Sequence, residues 1–145
     1  MWALAMALSS QFESMRDLLY HEAKHMLETL DRNEDDMGTV SLELIQAWLL
    51  IAYYEFARNN FRRGWVSAGR AFRLIQFARL HEIDNSGYTI HGDDPVATEE
   101  RRRTFWVAYC LDRFIGMKHQ WPLTLLEETV GCALGHIISS DLSLN

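Results

Sequence analysis

The residues with the clearest chemical potential are two histidines and a glutamate in the first quarter of the chain. His21, Glu22 and His25 form the pattern H-E-x-x-H within a segment whose apolar spacing predicts a helix. Histidines four residues apart share one helix face and can bind zinc, while the glutamate can act as a general base on a metal-bound water. However, the charged Lys24 lies inside the pattern, and the glycine and third histidine of the longer metalloprotease pattern are absent. We therefore favour a solvated helix face, and a zinc-dependent hydrolase remains the alternative.

A second group of charged residues lies in the predicted last helix. Arg101, Arg102 and Arg103 point in three directions around a helix, so they form neither a phosphate-binding stripe nor a nuclear-import patch. Asp112 stands among aromatic and aliphatic residues, and a buried carboxylate without a cation is strongly disfavoured. We therefore predict an internal polar network in which Arg102 or Arg103, together with Arg73 of the preceding helix, pairs with Asp112.

The remaining reactive residue types give no catalytic pattern. Cys110 and Cys132 lie in apolar surroundings and are too few for a disulfide framework. Neither cysteine has a nearby helix start or an adjacent base that would activate its thiol. The chain contains no nucleophile elbow, P-loop or dinucleotide-binding glycine motif. The sequence therefore predicts that the chain is not an enzyme.

Length and composition indicate one globular domain. The chain has 145 residues, 48% of them apolar, with 2 prolines and 8 glycines, which excludes a disordered or low-complexity chain. A net charge of -6 gives no global basic field that would attract nucleic acid. The most apolar run, residues 42–57, contains two glutamates and a glutamine, so it does not predict a membrane span. The apolar start of the chain lacks the basic residues of a signal peptide.

Apolar residues recur at spacings of three and four along the chain, whereas no two-residue alternation is sustained. Capping and turn signals place four main helices, which begin near Phe12, after Thr39 or Ser41, near Arg62, and after Asp94 or Thr98. The third is expected to end near Leu80 and the fourth near Gly116. The prediction is an all-α fold of stacked antiparallel helical hairpins, residues 12–58 and 62–115, with about four to five helices.

Several motifs follow one another in a fixed order between residues 41 and 122. A Gln-Ala-x-Leu-Leu helix is followed by W-x-x-x-G-x-A-x-R-L, then by E-E-R-R-R-x-F-W, L-D-R and Trp-Pro. This order resembles the middle homology region of fungal zinc-cluster transcription factors, also called the fungal-specific or xylanolytic-activator regulatory domain. The positions that carry the resemblance are Gly69, Arg73, Arg102, Arg103, Phe105, Trp106, Asp112, Arg113 and Pro122.

The resemblance implies an all-α regulatory domain that acts in the nucleus beside an N-terminal zinc cluster that binds DNA. Only two cysteines are present, so this chain cannot form a six-cysteine cluster. We therefore expect no cofactor in the chain, and DNA binding only through a zinc module that is absent from it. The expected partners are other protein segments of the transcription machinery or a second copy of the chain, with no membrane contact.

The sequence departs from the family pattern at two places. Arg79 stands where the family usually has glycine, and the residues after Thr129 lose the expected pattern. We therefore expect a partial regulatory domain over residues 1–129 and an unrelated tail over residues 130–145, as in a fragment or spliced product. Such a chain is expected to fold poorly alone, because helices outside it would be needed to cover the wide apolar faces of its second and third helices. A helical scaffold unrelated to transcription is the third interpretation.

Overall fold

Helices make up most of the residues that the structure, a computed structural model, describes, namely 13–33, 40–83 and 94–125. In chain order they are α1 (Glu13–Asn33), α2 (Leu42–Ala57), α3 (Phe61–Phe77) and α4 (Pro95–His119), with a 3-10 turn at Leu80–Glu82. No strand occurs among the described residues, and the predicted all-α class is confirmed. The boundary predicted at residue 129 lies outside them, and the stacking of the two hairpins stays a prediction.

The helix starts follow the capping signals in the sequence. Ser41 is the N-cap of α2, and its hydroxyl oxygen accepts a hydrogen bond of 3.2 Å from the backbone N–H of Leu44. Asp94 is the N-cap of α4, where its carboxylate accepts from the backbone N–H of Val96 and a proline occupies the first helical position. These caps satisfy N–H groups that have no partner inside a helix. The alternative cap Thr39 and the predicted start at Phe12 lie outside the described residues.

Two predicted helix ends are wrong by three residues. The third helix ends at Phe77 rather than Leu80, because Arg79 adopts a left-handed backbone with φ of 53°. This conformation favours glycine, the residue that the resemblance led us to expect at this position. The fourth helix continues past Gly116 to His119, and it stops where Gln120 adopts φ of 54°.

The chain divides into two compact units, and the first comprises residues 1–74. Its centre is α2, on which eight residues from Leu44 to Glu55 are buried. Eight of the 16 residues of α2 are already buried within the chain and three are exposed, whereas we expected helices outside the chain to cover this helix. That the chain folds poorly alone stays a prediction. Trp48 is the largest fully buried side chain of this helix, and its indole N–H has no hydrogen-bond partner among the described residues. The guanidinium of Arg70 lies 4.7 Å from the centroid of the Trp48 ring.

The second unit comprises residues 75–145, of which the structure describes the end of α3, the 3-10 turn, α4 and residues 120–125. One side of α4 is buried at spacings of three and four, and the 3-10 turn contacts this helix. The buried aliphatic and aromatic residues of α4 are Phe105, Ala108, Leu111 and Ile115. Within the described chain, no helix has the length and apolarity needed to cross a membrane.

Candidate functional site

The first unit contains a buried carboxylate that joins three helices. Glu55 of α2 is 0% exposed. Its Oε1 atom accepts hydrogen bonds of 2.5 Å from the hydroxyl of Tyr20 and 2.5 Å from the ammonium of Lys24, both on α1. Its Oε2 atom accepts a hydrogen bond of 2.6 Å from the hydroxyl of Ser67 on α3. The side chain therefore connects α2 to both of its sequence neighbours.

The donors around Glu55 explain how a carboxyl group is accommodated at this depth. Lys24 supplies the opposite charge, and hydroxyl donors on each oxygen replace the water that the carboxylate loses. Burial, and then the hydrogen bond to Glu55, raise the pKa of the Tyr20 hydroxyl far above its usual value near 10. The ring of Tyr20 also stacks on Tyr54, with 4.8 Å between the ring centroids. From the sequence it was visible that Glu55 lies inside an apolar run, but not which side chains donate hydrogen bonds to it.

The second unit contains a buried carboxylate with a different set of donors. Asp112 of α4 accepts hydrogen bonds of 2.9 Å from the backbone N–H of Thr124 and 2.8 Å from that of Leu125. Its neighbour Arg113 donates a hydrogen bond of 2.6 Å to the carbonyl of Leu125. The Arg113 guanidinium also lies 4.5 Å from the ring centroid of Tyr109. We call these two residues, Asp112 and Arg113, the clamp, because together they hold residues 124–125 against α4.

A glycine, Gly116, lies where the segment after α4 folds back onto the helix. A Cβ atom at Gly116 would lie 2.6 Å from a methyl group of Leu123 and 3.5 Å from the carbonyl of Trp121. A larger residue would therefore require the exposed side chain of Leu123 to move, whereas the carbonyl of Trp121 would stay at an ordinary contact distance. The ring of Trp121 also stacks on His119, with 4.7 Å between the centroids. The Asp-Arg and Trp-Pro motifs of the sequence thus belong to one structural feature.

The predicted arginine network around Asp112 is wrong. Arg102 and Arg103 instead pair with Glu99 on the same helix, at 2.7 and 2.8 Å. Arg73 is exposed. The physical reason is that backbone N–H groups satisfy the buried carboxylate of Asp112, so that a cation is not required.

The other motif residues have mixed surroundings. Phe105 is buried, and Trp106 is half-buried with its ring in a T-shaped contact 5.7 Å from that of Phe105. Pro122 is exposed, and Gly69 lies on a half-buried part of α3 with open space above it. These residues therefore differ in exposure, and only Phe105 is fully buried among them.

The H-E-x-x-H segment lies on the surface of α1. His21, Glu22 and His25 are all exposed, and the His21 ring meets the edge of the Tyr20 ring at 5.2 Å. Within the described residues, no group of three or more His, Cys, Asp or Glu side chains could hold a metal ion. Among these residues, the histidine pair therefore has no third protein ligand of the kind that a catalytic zinc site uses. Cys110 is an exposed free thiol, and Cys132 lies outside the described residues.

The described side chains thus define two helical units, each of which is held by a buried carboxylate. Residues 1–135 match the family described as the fungal specific transcription factor domain. The match covers most of the chain, which belongs to this family. No solved structure matches the chain.

Relatives of the chain are named as regulators of fungal biosynthesis. It is 48% identical over 140 residues to the pigment biosynthesis transcriptional activator pigB of Monascus ruber, covering 92% of this chain and 25% of the relative. It is 48% identical over 130 residues to the citrinin biosynthesis transcriptional activator ctnR of Monascus purpureus, covering 89% and 23%. It is 41% identical over 133 residues to the azaphilone cluster-specific transcription factor azaR of Aspergillus niger, covering 88% and 29%. The chain spans about a quarter of the length of these relatives.

The raised pKa of Tyr20 predicts a loss of stability in alkali. Above about pH 10 the unfolded chain releases the Tyr20 proton while the folded chain retains it, so the free energy of unfolding should fall as the pH rises. Below that pH the contribution is fully present. In Tyr20→Phe this part of the fall should disappear, whereas the control Tyr53→Phe should keep it. Urea unfolding between about pH 8 and 12 measures the difference, and equal slopes for wild type and Tyr20→Phe would contradict the assignment.

The clamp predicts that the free energy of unfolding falls when the charge of Asp112 is removed. In Asp112→Asn, the amide oxygen can take the place of Oδ2 and still accept from both backbone N–H groups, but the charge that strengthens these bonds is lost and the amide nitrogen cannot accept from Thr124. The free energy of unfolding should therefore fall by about 1–3 kcal/mol. Denaturant unfolding measures this loss. The control change Glu22→Gln, at an exposed carboxylate of α1, should cost less than about 0.5 kcal/mol. Equal effects of the two changes would show that the clamp does not stabilise the chain.

Proposed function

We propose that this chain is the regulatory, protein-interaction part of a fungal transcription factor and has no catalytic activity of its own. The observation that carries the proposal is the family match over residues 1–135, together with relatives named as transcriptional activators. The protein would act in the nucleus, where such factors meet their target genes. The names of the relatives further suggest that the regulated genes belong to a biosynthetic cluster.

The geometry supports binding rather than catalysis. Glu55 is inaccessible to a substrate, and both of its oxygens already accept hydrogen bonds. Asp112 is likewise buried and held by backbone N–H groups. Large apolar side chains are exposed on α1, α3 and α4, and such patches commonly mark contacts with other proteins. The chain would therefore act by docking, and its ionic groups would keep the docking surfaces in place.

Recognition of DNA would need residues outside this sequence. The net charge of -6 disfavours binding to a polyanion, and two cysteines cannot form the zinc cluster that the family resemblance implies. We propose that the chain itself takes no cofactor. Its partners would be other protein segments of the transcription machinery, without contact to a membrane.

The proposal predicts that the chain changes transcription when it is brought to a promoter. We expect the chain, fused to an unrelated DNA-binding domain in a fungal host, to alter reporter expression severalfold relative to that domain alone. Asp112→Asn should weaken the effect because it loosens the clamp, whereas the exposed change Thr29→Ala should not. Immunoblots must show equal amounts of all fusions. A wild-type fusion that leaves the reporter unchanged would contradict the proposed regulatory role.

A further inference from the structure

One side of α3 combines positive charge with exposed apolar side chains. Arg62 and Arg73 are exposed, Trp65 is 46% exposed and Val66 is 51% exposed. Together with Gly69 they recur at spacings of three and four, which places them on one side of a single helix. We call Arg62, Trp65, Val66, Gly69 and Arg73 the α3 face. All five residues belong to the first compact unit.

The charge of α3 has one sign. The helix contains four arginines and no acidic residue, although the whole chain has a net charge of -6. Arg70 pairs with Asp31 at 3.8 Å, whereas neither Arg62 nor Arg73 forms an ion pair with another residue of the described chain. The α3 face therefore attracts a partner that carries carboxylates.

The two arginines stand at opposite ends of the α3 face. They are 11 positions apart, which is close to three helical turns, so both side chains leave the same side of the helix. At a rise of about 1.5 Å per residue, their Cα atoms are separated by about 16 Å. Trp65 and Val66 lie between them. A matching partner must therefore carry negative charge at both ends of an apolar strip, which a helix of the same length can do.

Gly69 is the least expected residue of the α3 face. Glycine in the middle of a helix lowers helix stability relative to alanine. Elsewhere in this chain a glycine has a packing reason, as at Gly64, where a Cβ would lie 3.0 Å from the ring of Phe56. At Gly69 a Cβ would meet nothing within 4 Å, so no group in the described chain needs the space. The bare backbone at this position would instead let another helix approach α3 closely.

We propose that the α3 face docks an amphipathic helix of another protein, with acidic residues about three turns apart and a small residue between them. The carboxylates of that helix would pair with Arg62 and Arg73, since a guanidinium group can bind a carboxylate through two parallel hydrogen bonds. Its apolar side chains would cover Trp65 and Val66, and its small residue would lie against Gly69. This inference names the class of partner for the proposed protein-interaction role, and in that sense it rests on that role.

The mixed character of the α3 face favours an acidic peptide over a nucleic acid. Nucleic acids are bound mainly through many phosphate contacts on a basic surface, and the net charge of -6 opposes the approach of a polyanion. A short helix with a few carboxylates meets less of this repulsion, and it can also bury the exposed side chains of Trp65 and Val66. The arginines would then select acidic helices, and the apolar residues would add to the affinity.

Fluorescence anisotropy of a labelled synthetic peptide, titrated with the full chain, tests the proposal. The peptide is a helix of about 18 residues, with glutamates three turns apart, leucines between them and an alanine at the centre. We expect the chain to bind it at least about tenfold more tightly than the same peptide with glutamines in place of the glutamates. A labelled DNA duplex at the same ionic strength should bind more weakly than the acidic peptide.

A reversal of charge on the α3 face should reverse its preference. The double change Arg62→Glu with Arg73→Glu should weaken binding of the acidic peptide at least about tenfold, and the variant should instead bind a peptide with lysines in place of the glutamates. The control Arg103→Glu with Lys118→Glu makes the same change in net charge at exposed residues of α4, and it should bind the acidic peptide like wild type.

A variant at Gly69 tests the close approach of the two helices separately from charge. Gly69→Leu should keep the helical circular dichroism of wild type, because the space above the glycine is open, yet it should bind the acidic peptide at least about tenfold more weakly. Binding of Gly69→Leu that equals that of wild type would contradict the proposed packing.

Three further results would overturn the proposal: equal binding of the glutamine and glutamate peptides, tighter binding of DNA than of the acidic peptide, or a charge-reversed chain that does not prefer the lysine peptide. The reporter experiment is independent of these peptides. A chain that binds the acidic peptide but leaves the reporter unchanged would contradict the role in transcription and still support the α3 face as a docking site.

Discussion

A carboxylate inside an apolar helix must find hydrogen-bond donors on neighbouring elements, and Glu55 finds them on both sides of α2. Tyr20 and Lys24 approach it from α1, and Ser67 approaches from α3. Because an unpaired buried carboxylate is far more costly than an unpaired polar group at the surface, the three helices are held in one arrangement. The charged interaction thus fixes the register in which apolar residues such as Trp48 pack.

The second unit meets the same requirement with backbone groups. The carboxylate of Asp112 accepts from two consecutive N–H groups, while Arg113 donates to the carbonyl that follows them. The clamp therefore fixes the path of the chain after α4 without a salt bridge. In both units the buried carboxylates position helices or the segments beside them. This use of the buried groups agrees with the proposed role, in which the domain acts by docking and not by catalysis.

The parts of this structure that could be predicted from sequence are those set by neighbouring residues. Helix starts at Ser41 and Asp94 could be predicted, because a capping side chain acts on residues next to it in the sequence. The spacing of the apolar residues is also a local signal, and it predicted the helices. The partners of Glu55 could not be predicted, because Tyr20 lies 35 residues away and Ser67 lies 12 residues away on another helix. The residue types in the sequence could not identify the donors to Asp112, because these donors are backbone N–H groups, which occur at almost every position.

The link between Lys24 and Glu55 tests the role of the buried carboxylate most directly. A double-mutant cycle with Lys24→Met and Glu55→Gln measures their interaction apart from the other effects of each change. The account predicts a coupling free energy of about 1.5–3 kcal/mol, the range of a hydrogen bond between charged groups in a partly buried site. A coupling below about 0.5 kcal/mol would mean that the two changes act independently, and would contradict the claim that this ion pair holds α1 against α2.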